Sequence, residues 1–244
     1  MGRTVIVGDV HGCRVELEKL LDRIDFASGD RLVFVGDLVA RGPDSRGVLD
    51  IARRTGAVIV RGNHEEKLIA WRAARNTWMR GKASAKEPLG RTHRDVAHSL
   101  RPVDWTLLET SPLYFDLPEH GARVVHAGVL PNVAIEHQMP SVLLNVRVIK
   151  NSGGPPILWG ARYNGSPHVV FGHNATQGLQ LHKCATGLDT GCVYGGRLTA
   201  MVLAEGQKIP RSFEARRQLL VSQAAARIYC DHGDAGGRRR LRVA

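Results

Sequence analysis

An α/β fold of two sheets with helices outside is what this chain predicts, and three patterns carry that expectation. Apolar, β-branched stretches alternate with helix-period segments through the first sixty residues, a rhythm of parallel strands joined by right-handed crossovers. After Pro112 the chain becomes strand-rich. Short glycine-containing runs bearing Asp, His or Asn follow strand-like segments in both halves, so the two halves converge on one rim.

The first strand is expected over 4–8 and leads to a helix near 14–24, where Val15, Leu17, Leu20, Leu21 and Ile24 mostly keep a helical period. A strand at 32–36 and a helix near 44–54 follow, the helix ended by Gly56. The third strand is 58–61. Residues 65–110 mix Leu68, Ile69, Trp71, Trp78, Met79, Val96, Trp105, Leu107 and Leu108 with many charges. They predict two or three helices forming a cap or insertion over or beside the rim, with a loop around Gly81–Gly90. A hairpin is expected from 113–117 and 122–128 about His120 and Gly121. A helix over 139–150, strands near 168–172, 179–183 and 198–204, and a last helix over 212–227 complete the expectation. One domain spans 1–230 in this reading. The segment 231–244, rich in glycine and arginine, lacks the apolar content to pack and reads as a disordered basic tail.

Composition excludes some classes. The chain has 244 residues, enough for one large core or a core with a small annex. No apolar run approaches the length of a membrane span. The opening MGRTVIVGDVHG lacks a secretory pattern, and a cytoplasmic location is expected. Cys13, Cys184, Cys192 and Cys230 form no C-x-x-C pair, so neither a zinc knuckle nor a redox dithiol is indicated. The net charge of +11 suits phosphate-rich substrates and nonspecific nucleic-acid contact alike.

Five runs carry the chemistry: GDVHG (8–12), GD (36–37), GNHE (62–65), HAG (126–128) and GH (172–173). They supply Asp9, His11, Asp37, Asn63, His126 and His173, oxygen and nitrogen donors suited to divalent metals. Phosphoryl transfer needs anionic oxygens neutralised and a nucleophile held in line. Two metals about 3.5–4 Å apart do both by sharing a ligand and an activated water. A carboxylate is the best bridge, and Asp37 is the natural one. Asp9 and His11 join it at one ion; Asn63, His126 and His173 complete the other. His64 is the candidate proton donor to the leaving oxygen. Arg41, and less directly Arg162 in WGARYNG, are candidate phosphate clamps. Arg61 is expected to face the core side and pair with a carboxylate. Glu65 and Glu66 are expected simply to begin the next helix, where negative charge suits the N-terminus. Manganese, iron, zinc, cobalt or nickel fits such mixed ligands better than calcium, with manganese expected to support activity in vitro.

In order and spacing these motifs resemble the calcineurin-like metallophosphoesterases over roughly residues 4–204, and more narrowly their phosphoprotein-phosphatase branch. The resemblance implies a four-layer sandwich: two central mixed sheets, flanking helices and a small helical cap. It implies the same two-ion ligand set, His64 as catalytic histidine and Arg41 as phosphate clamp. One departure is informative. The run GDLVARG has Ala40 where the protein phosphatases carry an aspartate. The form GDLVARGPDS and the stretch LDTGCVYGGRLT at 188–199 resemble the bacterial symmetrical diadenosine tetraphosphatases. That resemblance implies a dinucleoside polyphosphate substrate cut at its central anhydride to two ADP. GNHE and the short stretch between His126 and His173 depart from it and keep a phosphoprotein phosphatase, or a broader nucleoside-polyphosphate hydrolase, open.

Overall fold

The computed structural model describes residues 2–79 and 89–231. The basic tail beyond Asp231 and most of the loop expected at Gly81–Gly90 lie outside them.

The opening runs β1 (Thr4–Val7), α1 (Arg14–Arg23), β2 (Arg31–Phe34), α2 (Ser45–Arg54) and β3 (Val58–Ile59). The helices α3 (Asn63–Met79), α4 (Arg91–Ser99) and α5 (Pro102–Glu109) follow. Then come β4 (Tyr114–Leu117), β5 (Ala122–Val125), α6 (Pro140–Asn145), β6 (Val148–Asn151), β7 (Gly154–Leu158) and α7 (Trp159–Arg162). The remainder is β8 (His168–Phe171), β9 (Gln180–Leu181), β10 (Ala185–Gly187), β11 (Arg197–Leu203), α8 (Phe213–Arg217) and β12 (Leu220–Ala224).

Two five-stranded sheets form the centre, ordered β12-β11-β1-β2-β3 and β4-β5-β8-β10-β9. Both are mixed. In the first, β1, β2 and β3 run parallel while β11 and β12 are antiparallel to their neighbours. In the second, β5, β8 and β10 are parallel and β4 and β9 antiparallel.

Strand parity explains the layers. Successive side chains face opposite sides of a sheet. Val5 and Val7, with Leu32 and Phe34, pack in one cluster with Leu17, Leu20, Val48 and Leu49 of α1 and α2. Ile6 and Val33 face the other way and meet Ala122, Val124 and Val170 of the second sheet. Val125, Val169 and Phe171 turn outward onto Leu143 and Trp159 of α6 and α7. The result is helix, sheet, sheet, helix, as the sequence predicts. Leu89, Val96, Ala97, Trp105 and Leu108 join the cluster of α1 and α2, so α4 and α5 flank the first sheet.

Three elements differ from expectation. The helix over 212–227 stops at Arg217, and Leu220–Ala224 is the edge strand β12 paired with β11. Leu219, Leu220 and Val221 are consecutive apolar residues, which serve an edge strand as well as a helix. The helix over 139–150 ends at Asn145, and the chain then forms the β6–β7 hairpin. The short β10 escaped notice, because ATG carries little strand signal.

Candidate metal centre and active site

The ends of β1, β2, β3, β5, β8 and β10 meet at one place. Asp9 and His11 follow β1, Asp37 follows β2, Asn63 opens α3 after β3, His126 follows β5 and His173 follows β8. Close approach demands glycine here. A Cβ on Gly172 would stand 1.9 Å from Asp9 Oδ1, and one on Gly36, at φ +106°, would stand 2.8 Å from His126 Nδ1. His11, Asp37, Ala40, Arg41 and His173 all have positive φ without being glycine. Such strain clusters where the surrounding structure over-determines the backbone.

Glu65 supplies much of that determination. Its buried carboxylate accepts backbone N–H groups from Asp37, Leu38, Val39 and Gly62 at 2.8–3.2 Å. The expectation that it merely opens a helix understates its role. Glu66, on the same turn, accepts from Arg61 at 3.0 Å, as expected for Arg61.

Asp37 uses its two oxygens differently. Oδ1 accepts the His64 backbone N–H at 3.0 Å. Oδ2 lies 3.6 Å from His11 Nε2 and 3.5 Å from His126 Nε2, between the two histidines. Both Asp9 oxygens lie 3.1 Å from the His173 backbone nitrogen. His11 Nδ1 bonds Val39 O at 3.1 Å and His126 Nδ1 bonds Val35 O at 3.0 Å. With those nitrogens as donors, each Nε2 turns a lone pair inward. His126 Nε2 and His173 Nδ1 both meet Asn63 Oδ1 at 2.9 Å. His126 Nε2 and Asn63 Oδ1, facing each other as acceptors, are stabilised by a cation, and a donor set of carboxylate, amide and imidazole fits a divalent one. His11, Asp37 and His64 form one group of potential ligand atoms within 4.8 Å of one another; Asp37, His126 and His173 form another.

Burial governs the charges. It lifts the Asp37 carboxyl to about 7 against hydrogen bonding from His64 and the Arg41 charge. Burial and the Asp189 and Asp37 carboxylates push Asp9 well above the usual range. Burial lowers His126 to about 4 and His173 to about 2, so both rings are neutral.

The candidate substrate residues divide. Arg41 Nη1 lies 2.9 Å from His11 Nε2, and its guanidinium sits 5.5 Å over the Tyr194 ring. A cleft of about 540 Å³ opens beside the cluster, lined by Arg41, Arg147, His173, Thr176, Asp189 and Tyr194. Arg162 is not in that lining and donates instead to Asn151 Oδ1 at 2.9 Å. His64 is buried, next to the cluster, with its ring edge-on to His11 at 4.8 Å.

Sequence reasoning missed Arg147, Asp189 and His93. Asp189 stands after β10 in the LDTG run and repeats the strand-then-carboxylate signal, so it was findable. Arg147 sits between a short helix and a hairpin with no motif around it.

The sequence pattern of the family described as calcineurin-like phosphoesterase matches residues 2–183. The chain belongs to that family. As a calcineurin-like phosphoesterase it is a metal-dependent phosphoesterase. It is 30% identical over 220 residues to a bis(5'-nucleosyl)-tetraphosphatase PrpE [asymmetrical] of Halalkalibacterium halodurans, covering 82% of this chain and 89% of the relative. The protein of that name from Geobacillus sp. (strain WCH70) is also 30% identical, over 84% and 91% of the two chains. Among solved structures, one described as a "putative diadenosine tetraphosphatase" superposes with a TM-score of 0.73 at 35% identity, covering 92% of this chain and 94% of the other. A serine/threonine phosphatase from Saccharomyces cerevisiae shares the fold at a TM-score of 0.53 and 17% identity. No described helix of this phosphoesterase is long and apolar enough to cross a membrane.

Proposed function

We propose that this phosphoesterase hydrolyses dinucleoside tetraphosphates, with diadenosine tetraphosphate as the model substrate. The observation that carries the reading is the cleft joining Arg41 and Arg147 to the buried His/Asp cluster. It brings two guanidinium groups, suited to anionic phosphate oxygens, against a donor set suited to divalent ions. The similarity to named tetraphosphatases over most of the chain supports the same substrate class.

In this reading Asp9, His11 and Asp37 hold one ion, and Asp37, Asn63, His126 and His173 hold the other. Bound divalent ions, manganese being the expected pair in vitro, supply charge neutralisation and a more acidic attacking water. The residues do the rest. Arg41 and Arg147 orient the phosphate chain; Arg162 has the weaker claim because it is tied to Asn151. His64 gives a proton to the departing phosphate oxygen. The buried walls keep that proton from exchanging freely with bulk water.

Two cuts are open to this site. The LDTGCVYGGRLT resemblance favours the central anhydride and two ADP. The relatives named asymmetrical align over four-fifths of the chain, which favours an outer anhydride and ATP with AMP. Similarity over four-fifths of the chain outweighs one twelve-residue stretch, so we adopt the asymmetrical cut. Chromatography of an early time point tests it: equal ATP and AMP are expected, while ADP as sole product restores central cleavage. A phosphopeptide run beside it with the same metal should turn over poorly. Fast phosphopeptide turnover with an intact dinucleotide would make the chain a phosphoprotein phosphatase instead.

A further inference from the structure

His64 has a neighbour that the motifs do not announce. His93, from α4, stacks on it with ring centroids 4.7 Å apart and planes 24° from parallel. Both side chains are buried, at 5% and 6% exposure. His64 Nδ1 and His93 Nε2 have no hydrogen-bond partner among the described residues. A buried polar atom without a partner is costly, and a plain packing role would be filled by an apolar ring without that cost. Burial and the Lys67 and Arg41 charges bring His93 down to about 4. A neutral imidazole carries one N–H and one lone pair. Two neutral imidazoles side by side form a complementary donor and acceptor.

We propose that His93 is the positioning residue of His64: its Nε2 pairs with His64 Nδ1, directly or through one water, and fixes which His64 nitrogen presents a proton to substrate. The pairing needs a tilt of one ring, since stacked rings do not bond face to face. Catalytic hydrogen bonds are often long or misaligned without substrate and tighten when it binds. A nitrogen of His64 lies within 4.8 Å of ligand atoms of His11 and Asp37, so the ring reaches the cluster while its stacked face meets α4. The same helix lines a second cleft of about 390 Å³ through Thr92, Asp95, Val96 and Ser99, and that cleft shares Arg41 with the first. Binding beside Arg41 and orientation of His64 thus meet on one helix. The proposal rests on reading His64 as the proton donor.

The test uses the full, metal-loaded chain with His93→Phe, which keeps a flat ring and loses both nitrogens, and His93→Gln, which keeps a polar end. Phenyl phosphate and p-nitrophenyl phosphate serve as poor and good leaving groups. His93→Phe should lower kcat on phenyl phosphate by roughly 10–100-fold, the range seen when a site histidine loses its outer partner. KM should stay within about threefold, metal content should not change, and p-nitrophenyl phosphate should suffer less. His93→Gln should recover part of the loss. In a His64→Ala background, His93→Phe should cost nothing more; an equal further loss would overturn the pairing, as would a wild-type kcat in His93→Phe. Imidazole nitrogen NMR gives a readout apart from activity. His64 Nδ1 should shift in His93→Gln, and an unmoved resonance rejects the pair even if His93→Phe does not fold. If His64→Ala alone keeps the full rate, the proton-donor reading fails, while the nitrogen resonances still report whether the two rings are paired.

Discussion

Glu65 Oε2 accepts the backbone N–H of Asp37 at 2.8 Å. With its bonds to Leu38, Val39 and Gly62, one carboxylate ties the loop after β2 to the first turn of α3. Asp37 sits at φ +51°, an uncommon conformation for a side chain–bearing residue. The clamp holds it there and thereby aims Oδ2 between His11 and His126.

Glu65→Gln is therefore expected to destabilise the protein although it is isosteric. The amide keeps one acceptor oxygen and turns an NH₂ toward backbone donors. A loss of about 2–4 kcal/mol is expected from weakened charged hydrogen bonds and stranded N–H groups. Chemical denaturation measures it, and metal analysis should show lower occupancy. Unchanged stability and occupancy would remove the clamp from the account.

Metal affinity should fall as pH drops through about 7. The sign follows from which groups hold protons in the metal-free protein. Asp37 titrates at about 7 and Asp189 at about 6, both raised chiefly by burial. His126 and His173 are lowered and already neutral. Below about 7 a bound ion must displace the Asp37 proton, and above it Asp9, also raised by burial, is the ligand carboxyl left to hold one. Calorimetric titration with Mn²⁺ in two buffers of different ionisation enthalpy should find more proton release at about pH 6 than at about pH 8. Tighter binding at the lower pH, or proton uptake, would contradict the assignment.

Much of this site was legible because strand ends carry short-range signals. Apolar β-branched runs followed by Gly and Asp or His marked Asp9, His11, Asp37, Asn63, His126 and His173, which the structure brings to one place, and strand-bearing halves converging on one rim foretold the two sheets. What failed depends on distance in sequence. Glu65 looks like any first-turn carboxylate until the loop after β2 folds over it. Arg147 and His93 reach the site from segments whose local pattern says only helix or hairpin. The helix misassigned over 212–227 failed for a related reason: β12 exists because β11 lies beside it, and no local spacing reports that pairing.

Asp37→Asn should keep the fold, since an amide oxygen can still accept the His64 N–H. It removes the full negative charge held between His11 and His126. Metal content should drop by close to one ion per chain, and turnover by about 10²-fold or more. Wild-type rate with both ions retained would end the bridging assignment.

His64→Asn should leave metal content near normal and slow the chemistry on a poor leaving group by about 10²–10⁴-fold. A substrate whose leaving group needs no proton should lose far less. The comparison separates proton donation from ligation: equal losses on both substrates, or lost metal, would make His64 a ligand or a structural residue.

Arg147 and Arg162 give opposite expectations, although only Arg162 stands in a motif-like run. Arg147 lines the cleft with Arg41 and His173, and its charge also lowers Asp37 and His126. Its Nη2 reaches His173 O at 3.3 Å, a loose bond that a phosphate could replace. Arg162 is exposed and spends its Nη2 on Asn151 at 2.9 Å. Arg147→Ala should raise KM for diadenosine tetraphosphate by about 10-fold or more, a charged hydrogen bond being worth about 1.5–3 kcal/mol. The effect should shrink for a monoester that presents one phosphate. Arg162→Ala should change KM by less than about twofold, as exposed polar pairs contribute little. Steady-state kinetics on both substrates decide the matter. A large KM effect at Arg162 with none at Arg147 would mean that the phosphate chain leaves the cluster toward α7, and the cleft beside Tyr194 would no longer be the substrate's path.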